Sequence, residues 1–349
     1  MKVINIRNVH MALPEALYQL SLDGVKRDSR NGEVLMFPEP VTTVYRSPKE
    51  RVIFWADRDA NPFFHLFESL WMLAGRRDVE YLSRFNSRIN MFSDDGKVFH
   101  GAYGYRWNTW FKTNQIDRII SRLKKDPNDR RAVLTMWDGS VDLLLTSGKD
   151  VPCNISAVFS INHENKLDMI VYNRSNDLVW GCYGANAVHF SILQEYVAFC
   201  VGVEVGVYRQ VSNNLHAYVD IYDKLKHLAD EAPDGYTASW NDSPYQRKEV
   251  APFPLMSTTK DDWNDDLRCF LSQDNMNYID PFFRVVAQPM LDAWNLYKKG
   301  MLVEAIYEID KCLATDWQKA GREWLTRRLA KQRLARAKDD GVDYGLGEA

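Results

Sequence analysis

Two residues set the chemistry to look for in this chain: Cys153, in VPCN, and Arg174, in YNRSND. Between them Phe159 and Ile161 alternate with Ser160 and Asn162, and Leu167, Met169 and Val171 alternate with Asp168, Ile170 and Tyr172. The polar group His163-Glu164-Asn165-Lys166 separates the two runs. This pattern predicts two strands joined by a turn. In an antiparallel hairpin the outer ends lie side by side, so the thiol and the guanidinium meet there. A neighbouring arginine favours the thiolate, the nucleophilic form of cysteine. The same residue types also suit a small buried cysteine beside a surface ion pair. A second candidate is Glu68, inside the apolar run PFFHLFESLWMLAG. Burying an unpaired carboxylate is costly, so Glu68 either reaches the surface or is held for a task.

Other candidates are weaker one by one. Arg30 sits in the polar turn Asp28-Ser29-Arg30-Asn31-Gly32, where it is either solvated or aimed at an anion. Arg130 and Arg131 open the strand AVLTMW; adjacent residues at a strand start point to opposite faces, so the pair does not suit one site of one subunit. Gly181 and Gly184 in GCYGAN suit a tight turn better than a phosphate loop, and His216 stands alone between a strand and a helix.

The elements that must position these residues follow from periodicity. Residues 1–20 predict a strand and a helix with Pro14 near its start, and residues 51–55 a short apolar strand. Phe63, Phe64, Phe67, Leu70, Trp71 and Leu73 predict a buried helix, and Ile116, Ile119, Ile120 and Leu123 an amphipathic helix over 115–125. A helix is expected over about 187–201, a strand over 205–214 and a helix near 219–230. Residues 231–265 read as irregular connection. Beyond them the chain is helical to about 338, with an αα-hairpin around the KKG turn. The closing helix carries many arginines and lysines, suiting a solvated or subunit-contacting face.

The composition narrows the class. The chain has 349 residues, a formal charge of −3, 46% hydrophobic and 13% aromatic content. With no basic excess, direct nucleic-acid binding is not expected. The five cysteines are scattered and neither CxxC nor HExxH occurs, so no disulfide framework and no metal site are expected. No stretch is apolar enough for a bilayer span, and a reduced cytoplasmic setting (the host cytoplasm if the source is viral) is the expectation.

In order along the chain, FESLWMLAG, HGAYGYRW, DPNDRRAVLTMW, VPCN, YNRSND, GCYGAN and NLHAY resemble the motifs of the thymidylate synthase family. The likeness covers roughly residues 20–228 and is nearest the family's pyrimidine nucleotide hydroxymethylase branch. It implies an α+β fold of three-layer type, a mixed sheet with flanking helices. Residues 1–230 would form the catalytic domain, 231–265 a connection and 266–349 a helical extension with no counterpart in the family. By resemblance, Cys153 adds to carbon 6 of a pyrimidine, and carbon 5 then attacks a one-carbon unit from 5,10-methylenetetrahydrofolate. Glu68 and Tyr103 manage protons at the base. Arg30, Arg174 and Ser175 hold the 5′-phosphate of a nucleoside monophosphate. Arg130 and Arg131 reach that phosphate from the partner subunit, which implies a homodimer and resolves the strand-geometry objection. His216 and Tyr218 bind the sugar, and Asp177 contacts the folate.

Departures from the family's pattern bear on the reaction. Asn154 replaces the histidine after the nucleophile, and Asn173 replaces a glutamine; both are expected in the base pocket. RINMFSDD lacks the family's tryptophan-containing segment near the folate, and the chain ends in DYGLGEA rather than in a short apolar tail. These losses admit water and favour hydroxymethylation over reductive methylation. Base choice rests on Asn186, which helix periodicity aligns with the family's base-reading asparagine; a gapless alignment puts Ala185 there. Asparagine suits uracil, hence dUMP, although a flipped amide would accept cytosine. The alternatives are thymidylate synthesis, hydroxymethylation of dCMP or CMP, and a nucleotide-binding or scaffold protein without turnover.

Overall fold

The computed structural model describes residues 1–231, 243–274 and 277–339. The terminal DYGLGEA segment and part of the 231–265 connection lie outside the described residues. In chain order the elements are β1 (Lys2–Ile6), α1 (Val9–Asp23), β2 (Val25–Ser29), β3 (Gly32–Met36), β4 (Val41–Tyr45), α2 (Pro62–Leu73), α3 (Val79–Ser83), α4 (Tyr103–Tyr105), α5 (Gln115–Lys125) and β5 (Val133–Thr135). They continue with β6 (Asn154–Ile161), β7 (Lys166–Asn173), β8 (Asn176–Asp177), α6 (Asn186–Val201), β9 (Glu204–Ser212), β10 (Leu215–Tyr218) and α7 (Val219–Leu225). The C-terminal part holds α8 (Lys260–Ser272), α9 (Gln288–Lys298), α10 (Leu302–Ile309) and α11 (Thr315–Asp339).

The strands form a six-stranded mixed sheet in the order β1-β4-β9-β7-β6-β5 and a four-stranded sheet in the order β2-β3-β10-β8. The α+β expectation holds. The β6–β7 hairpin pairs Phe159 with Met169, Ala157 with Val171 and, at its outer end, Asn154 with Asn173. Phe159, Leu167, Met169 and Val171 are all buried, so a one-residue slip would turn this whole set to the other face. The turn is held by Asn162, whose Oδ1 accepts from the Glu164 and Lys166 amides at 3.0 and 3.1 Å. Asn165 takes a left-handed φ of 58°, which asparagine tolerates better than most residues.

Three local expectations change. Pro14 lies inside α1 rather than at its start. Its missing N–H would leave the His10 carbonyl without a helical donor, and Trp55 Nε1 donates to that carbonyl at 2.6 Å instead. Residues 51–55 are not a strand, because side chains serve their backbone donors. The Val52 amide donates to the Tyr245 hydroxyl at 3.2 Å and the Phe54 amide to His10 Nδ1 at 3.3 Å. Arg130 and Arg131 precede β5 in a turn rather than opening the strand, with the Arg131 amide donating to Asp129 Oδ1 at 2.8 Å. The amphipathic helix α5 spans the expected residues and is capped by Asn114, whose side chain accepts from the Asp117 amide at 3.0 Å.

Helix α2 organises the molecule. Asn61 caps it, accepting from the Phe64 amide at 3.1 Å, and Pro62 opens it. One face packs on the C-terminal helices: Phe63 lies 5.4 Å from Trp294 and 5.6 Å from Trp324, centroid to centroid. Burying each such ring is worth roughly 1.5–3 kcal/mol. A single apolar cluster runs from Ile4 in β1 to Leu325 in α11, so the C-terminal helices share the core of the rest. The basic face of α11 is partly used internally, since Arg327 and Arg328 reach Asp59 at 2.7 and 3.1 Å. The other edge of α2 receives α4 closely: a Cβ on Gly104 would stand 2.0 Å from the Met72 carbonyl oxygen. Only glycine lets the backbone beside Tyr103 approach α2 this far.

Candidate active site

A cleft of about 1560 Å³ opens where the hairpin's outer end, α2, α4, the start of α6 and the β2–β3 turn converge. Cys153, Glu68, Tyr103, Arg174, Ser175, Asn186, Asp177, Arg30, His216 and Tyr218 all line it. Most of the residues singled out from the sequence, spread over some 190 positions from Arg30 to Tyr218, therefore meet in one place.

Hairpin register brings Cys153 and Arg174 together as expected. The Arg174 amide donates to the Cys153 carbonyl at 3.0 Å, and Arg174 Nη2 lies 3.8 Å from Cys153 Sγ. The guanidinium is held by backbone, Nε donating to the Pro152 carbonyl at 2.8 Å and Nη2 to the Val151 carbonyl at 3.1 Å. None of these bonds engages Nη1. Burial pushes the Cys153 thiol up, and Arg174 and Arg30 oppose that only in part. In the free protein the cysteine therefore rests as the thiol, contrary to the simplest reading of an arginine beside it. Tyr103 sits directly behind: its hydroxyl accepts from the Cys153 amide at 3.2 Å and the Asn154 amide at 3.3 Å, which frees the hydroxyl proton for another partner.

Glu68 comes from α2 and faces the cleft rather than the surface. Its Oε2 lies 3.0 Å from His189 Nε2 on α6, within ion-pair distance. The alignment is poor for a hydrogen bond, so both buried atoms keep unused bonding capacity. His189 was not foreseen; its signal in the sequence is its place three residues after Asn186, one helical turn along the same face.

Asn186 begins α6. Its Nδ2 donates to Asn176 Oδ1 at 3.1 Å, and its Oδ1 faces Asn154 Nδ2 at 3.5 Å. Ala185 also lines the cleft but offers no side-chain polar group. Asn154 and Asn173 are both buried and stand one layer behind the cleft surface. The Asn154 side chain faces Asn186, and Asn173 Nδ2 donates to the Val211 carbonyl at 3.4 Å.

On the opposite side, parallel pairing of β8 with β10 sets Asp177 beside His216. Burial raises the Asp177 carboxyl, opposed by the Trp180 amide that it caps and by His216. Burial lowers the His216 imidazole, whose Nδ1 lies 2.8 Å from Asn214 Oδ1. The Tyr218 hydroxyl accepts from Asn31 Nδ2 at 3.3 Å, and Arg30 Nη1 donates to the Gly148 carbonyl at 3.0 Å. These bonds tie the β2–β3 turn over the cleft. A further carboxyl not foreseen, Asp150, accepts from the Gly101 amide at 2.7 Å, and burial raises it. Arg130 and Arg131 are exposed and do not line the cleft of their own chain; Arg131 pairs with Asp129 at 2.8 Å.

The cleft has a polar floor and an apolar outer wall. Trp71, Leu82, Ile89, Met91, Phe92 and Trp180 form the wall, with Met91, Phe92 and Trp180 exposed by 60%, 51% and 50%. Such a surface suits a flat conjugated ring laid over a smaller ligand on the floor. A thiol backed by a guanidinium, a carboxylate with free acceptor capacity and an amide on the floor together suit covalent addition to a planar heterocycle. Among the described residues no group of His, Cys, Asp or Glu could hold a metal ion, and no helix is long and apolar enough to cross a membrane.

Comparison with known proteins bears on these residues directly. Residues 24–248 match the family model described as thymidylate synthase. A deoxyuridylate hydroxymethyltransferase of Pseudomonas phage M6 is 57% identical over 351 residues, spanning 99% of this chain and 100% of that protein. The C-terminal helices are thus shared with that relative. A deoxyuridylate hydroxymethyltransferase of Bacillus phage SP01 is 42% identical over 52% of this chain and 50% of its own length, and one of Delftia phage PhiW-14 is 30% identical over 64% of each. Enzymes of this family act on a nucleotide and take their one-carbon unit from methylenetetrahydrofolate. The motifs, the mixed sheet with its converging cleft and these matches agree: the chain is a member of the thymidylate synthase family.

Proposed function

We propose that this protein converts dUMP, 5,10-methylenetetrahydrofolate and water into 5-hydroxymethyl-dUMP and tetrahydrofolate. The observation that carries the reading is the thiol of Cys153 at the hairpin end, 3.8 Å from Arg174 and in one cleft with Glu68. The name of the near full-length phage M6 relative supports the same substrate and reaction. Cys153 adds to carbon 6 of the uracil ring, and carbon 5 becomes the nucleophile. When bound, the folate supplies a one-carbon unit at the oxidation level of formaldehyde. Glu68 manages the proton lost from carbon 5, with Tyr103 in the same proton path. Water adds to the exocyclic methylene left on the ring; its oxygen bonds to that carbon, and expulsion of Cys153 restores the carbon 5–carbon 6 double bond.

Arg30, Arg174 and Ser175 hold the 5′-phosphate, and Arg174 keeps Nη1 available for it. His216 and Tyr218 take the sugar, Asn186 reads the base with Asn154 and Asn173 behind it, and Asp177 meets the folate. The exposed Met91, Phe92 and Trp180 give the folate ring a wall without enclosing it, which leaves water a path. Arg130 and Arg131, exposed and outside their own cleft, serve the partner's phosphate in a homodimer. The phage sources of the relatives support the host cytoplasm as its setting, with the nucleotide pool as its source of substrate.

The deciding experiment incubates the protein with methylenetetrahydrofolate and, separately, dUMP, dCMP and CMP. A hydroxymethyl product from dUMP, without the absorbance of dihydrofolate, is expected. A methyl product accompanied by dihydrofolate would establish thymidylate synthesis instead. Release of the carbon-5 hydrogen without product would also contradict the reading. The dimer has its own test: mixing inactive Cys153→Ala with inactive Arg130→Ala/Arg131→Ala chains should restore activity, because one site of each mixed dimer is complete. About a quarter of wild-type activity is expected from random pairing of equal amounts. No recovery in exchanged dimers would remove the cross-subunit role.

A further inference from the structure

Asn186 has a fixed polarity, and the residues that fix it are buried behind it. The chain of contacts starts at a backbone carbonyl. The Cys182 carbonyl oxygen is an acceptor only, so the Gln210 group 3.2 Å from it must be Nε2. Gln210 Oε1 therefore faces the other way and accepts from Asn176 Nδ2 at 3.0 Å. Asn176 Nδ2 also donates to Ser212 Oγ at 3.2 Å. This leaves Asn176 Oδ1 as the atom facing Asn186, where it accepts from Asn186 Nδ2 at 3.1 Å. Asn176, Gln210 and Ser212 are all fully buried, so no solvent is at hand to accept the reverse arrangement. Gly181 completes the device: a Cβ there would stand 2.5 Å from Asn176 Oδ1, so only glycine leaves room for this oxygen. Asn154 does not dictate the polarity, because its own Oδ1 has no partner and the amide can follow Asn186 either way.

We infer that Asn176, locked by Gln210, Ser212 and the Cys182 carbonyl, is a positioning residue that makes Asn186 read uracil and reject cytosine. This rests on the proposed pyrimidine substrate and deepens it. Uracil presents a donor at N3 and an acceptor at O4, matching Asn186 Oδ1 and the second proton of Nδ2. Cytosine presents the reverse pattern. Turning the Asn186 amide to meet it would set two carbonyl oxygens against each other at the Asn176 contact and leave the buried Asn176 oxygen without a donor. Sequence reading left the base open because an isolated asparagine can flip; the relay removes that freedom.

The test measures equilibrium binding of dUMP and dCMP, with and without the folate, so it does not depend on which product forms. Asn176→Leu removes the lock while keeping similar bulk. The preference for dUMP over dCMP should fall about tenfold or more, equal to the loss of one hydrogen-bond polarity. Asn176→Asp should keep the preference, because a buried protonated carboxyl can donate to Gln210 and accept from Asn186 as asparagine does. Gly181→Ala, which displaces the Asn176 oxygen by crowding, should lower the preference in the same direction and serves where the leucine variant fails to fold. Equal weakening of both nucleotides in the folded variants, with the ratio unchanged, would overturn the inference and leave Asn176 a structural residue. Failure of the wild type to turn over dUMP would count against the proposed function alone.

Discussion

The two faces of α2 solve opposite problems. Toward the C-terminal helices, Phe63 meets Trp294 and Trp324 in a seam of rings with centroids 5.4–5.9 Å apart. Toward the cleft, Glu68 and the facing His189 keep polar atoms without hydrogen-bond partners, and Asn154 and Asn173 behind the floor do the same. The seam leaves one such atom, Trp324 Nε1, and is otherwise closed by complementary rings, whereas the cleft gathers several. Unspent bonding capacity in a buried site costs stability and is tolerated where a ligand completes it. The contrast separates what holds this molecule together from what equips it to react. It also explains why the C-terminal helices, absent from the motif pattern, belong to the same core.

The comparison predicts a clean separation of effects. Cys153→Ala should lower turnover of dUMP by about 10⁴-fold or more while leaving thermal stability within about 0.5 kcal/mol, read by product assay and thermal melting. A matching loss of stability would show that the cleft residues also hold the fold. Trp294→Ala should do the reverse, costing about 3–5 kcal/mol in denaturant unfolding with near wild-type turnover per folded molecule. Strong loss of turnover at full stability would tie the seam to chemistry. Glu68→Gln should cost about 10²–10³-fold in turnover with little change in melting temperature; unchanged release of the carbon-5 hydrogen would remove its proton-handling role.

The smallest effect concerns an acid at the edge of the seam. Asp316 is buried, accepts from the Tyr245 hydroxyl at 2.9 Å, and is pushed up to about 6 by burial. A carboxyl raised in the folded state binds its proton more tightly there than in the unfolded chain. Its contribution is fully present below the unfolded value near 4 and is lost as pH rises through about 6. Asp316→Asn should therefore stabilise the protein at pH 7, by up to about 3 kcal/mol, and give no gain at pH 4. Unfolding curves at both values check this; an equal shift at the two would show that ionisation is not the cause.

Much of the site was legible because the hairpin is local. Period-two alternation set its register, and register alone places Cys153 beside Arg174. Ordered motifs supplied Glu68, Tyr103 and Asp177, whose roles no spacing reveals. Helix α5 and the turn between α9 and α10 were readable from apolar spacing. Residues 51–55 misled because alternation cannot tell a strand from an apolar segment whose amides are served by Tyr245 and His10. His189 was passed over because a lone histidine in an apolar helix resembles core packing until Glu68 is seen opposite it.

By itself, then, the sequence determined the elements whose signals lie within a few turns of chain, the family and the candidate for the nucleophile. Periodicity and residue chemistry act locally and survive in one dimension. Only the tertiary structure decided that Glu68 faces inward, that Asp177 stands beside His216, that Arg327 and Arg328 are spent on Asp59, and that Asn186 has one polarity. Each of these depends on groups far apart in the chain becoming neighbours, and hydrogen bonds acquire direction only when both ends are in place.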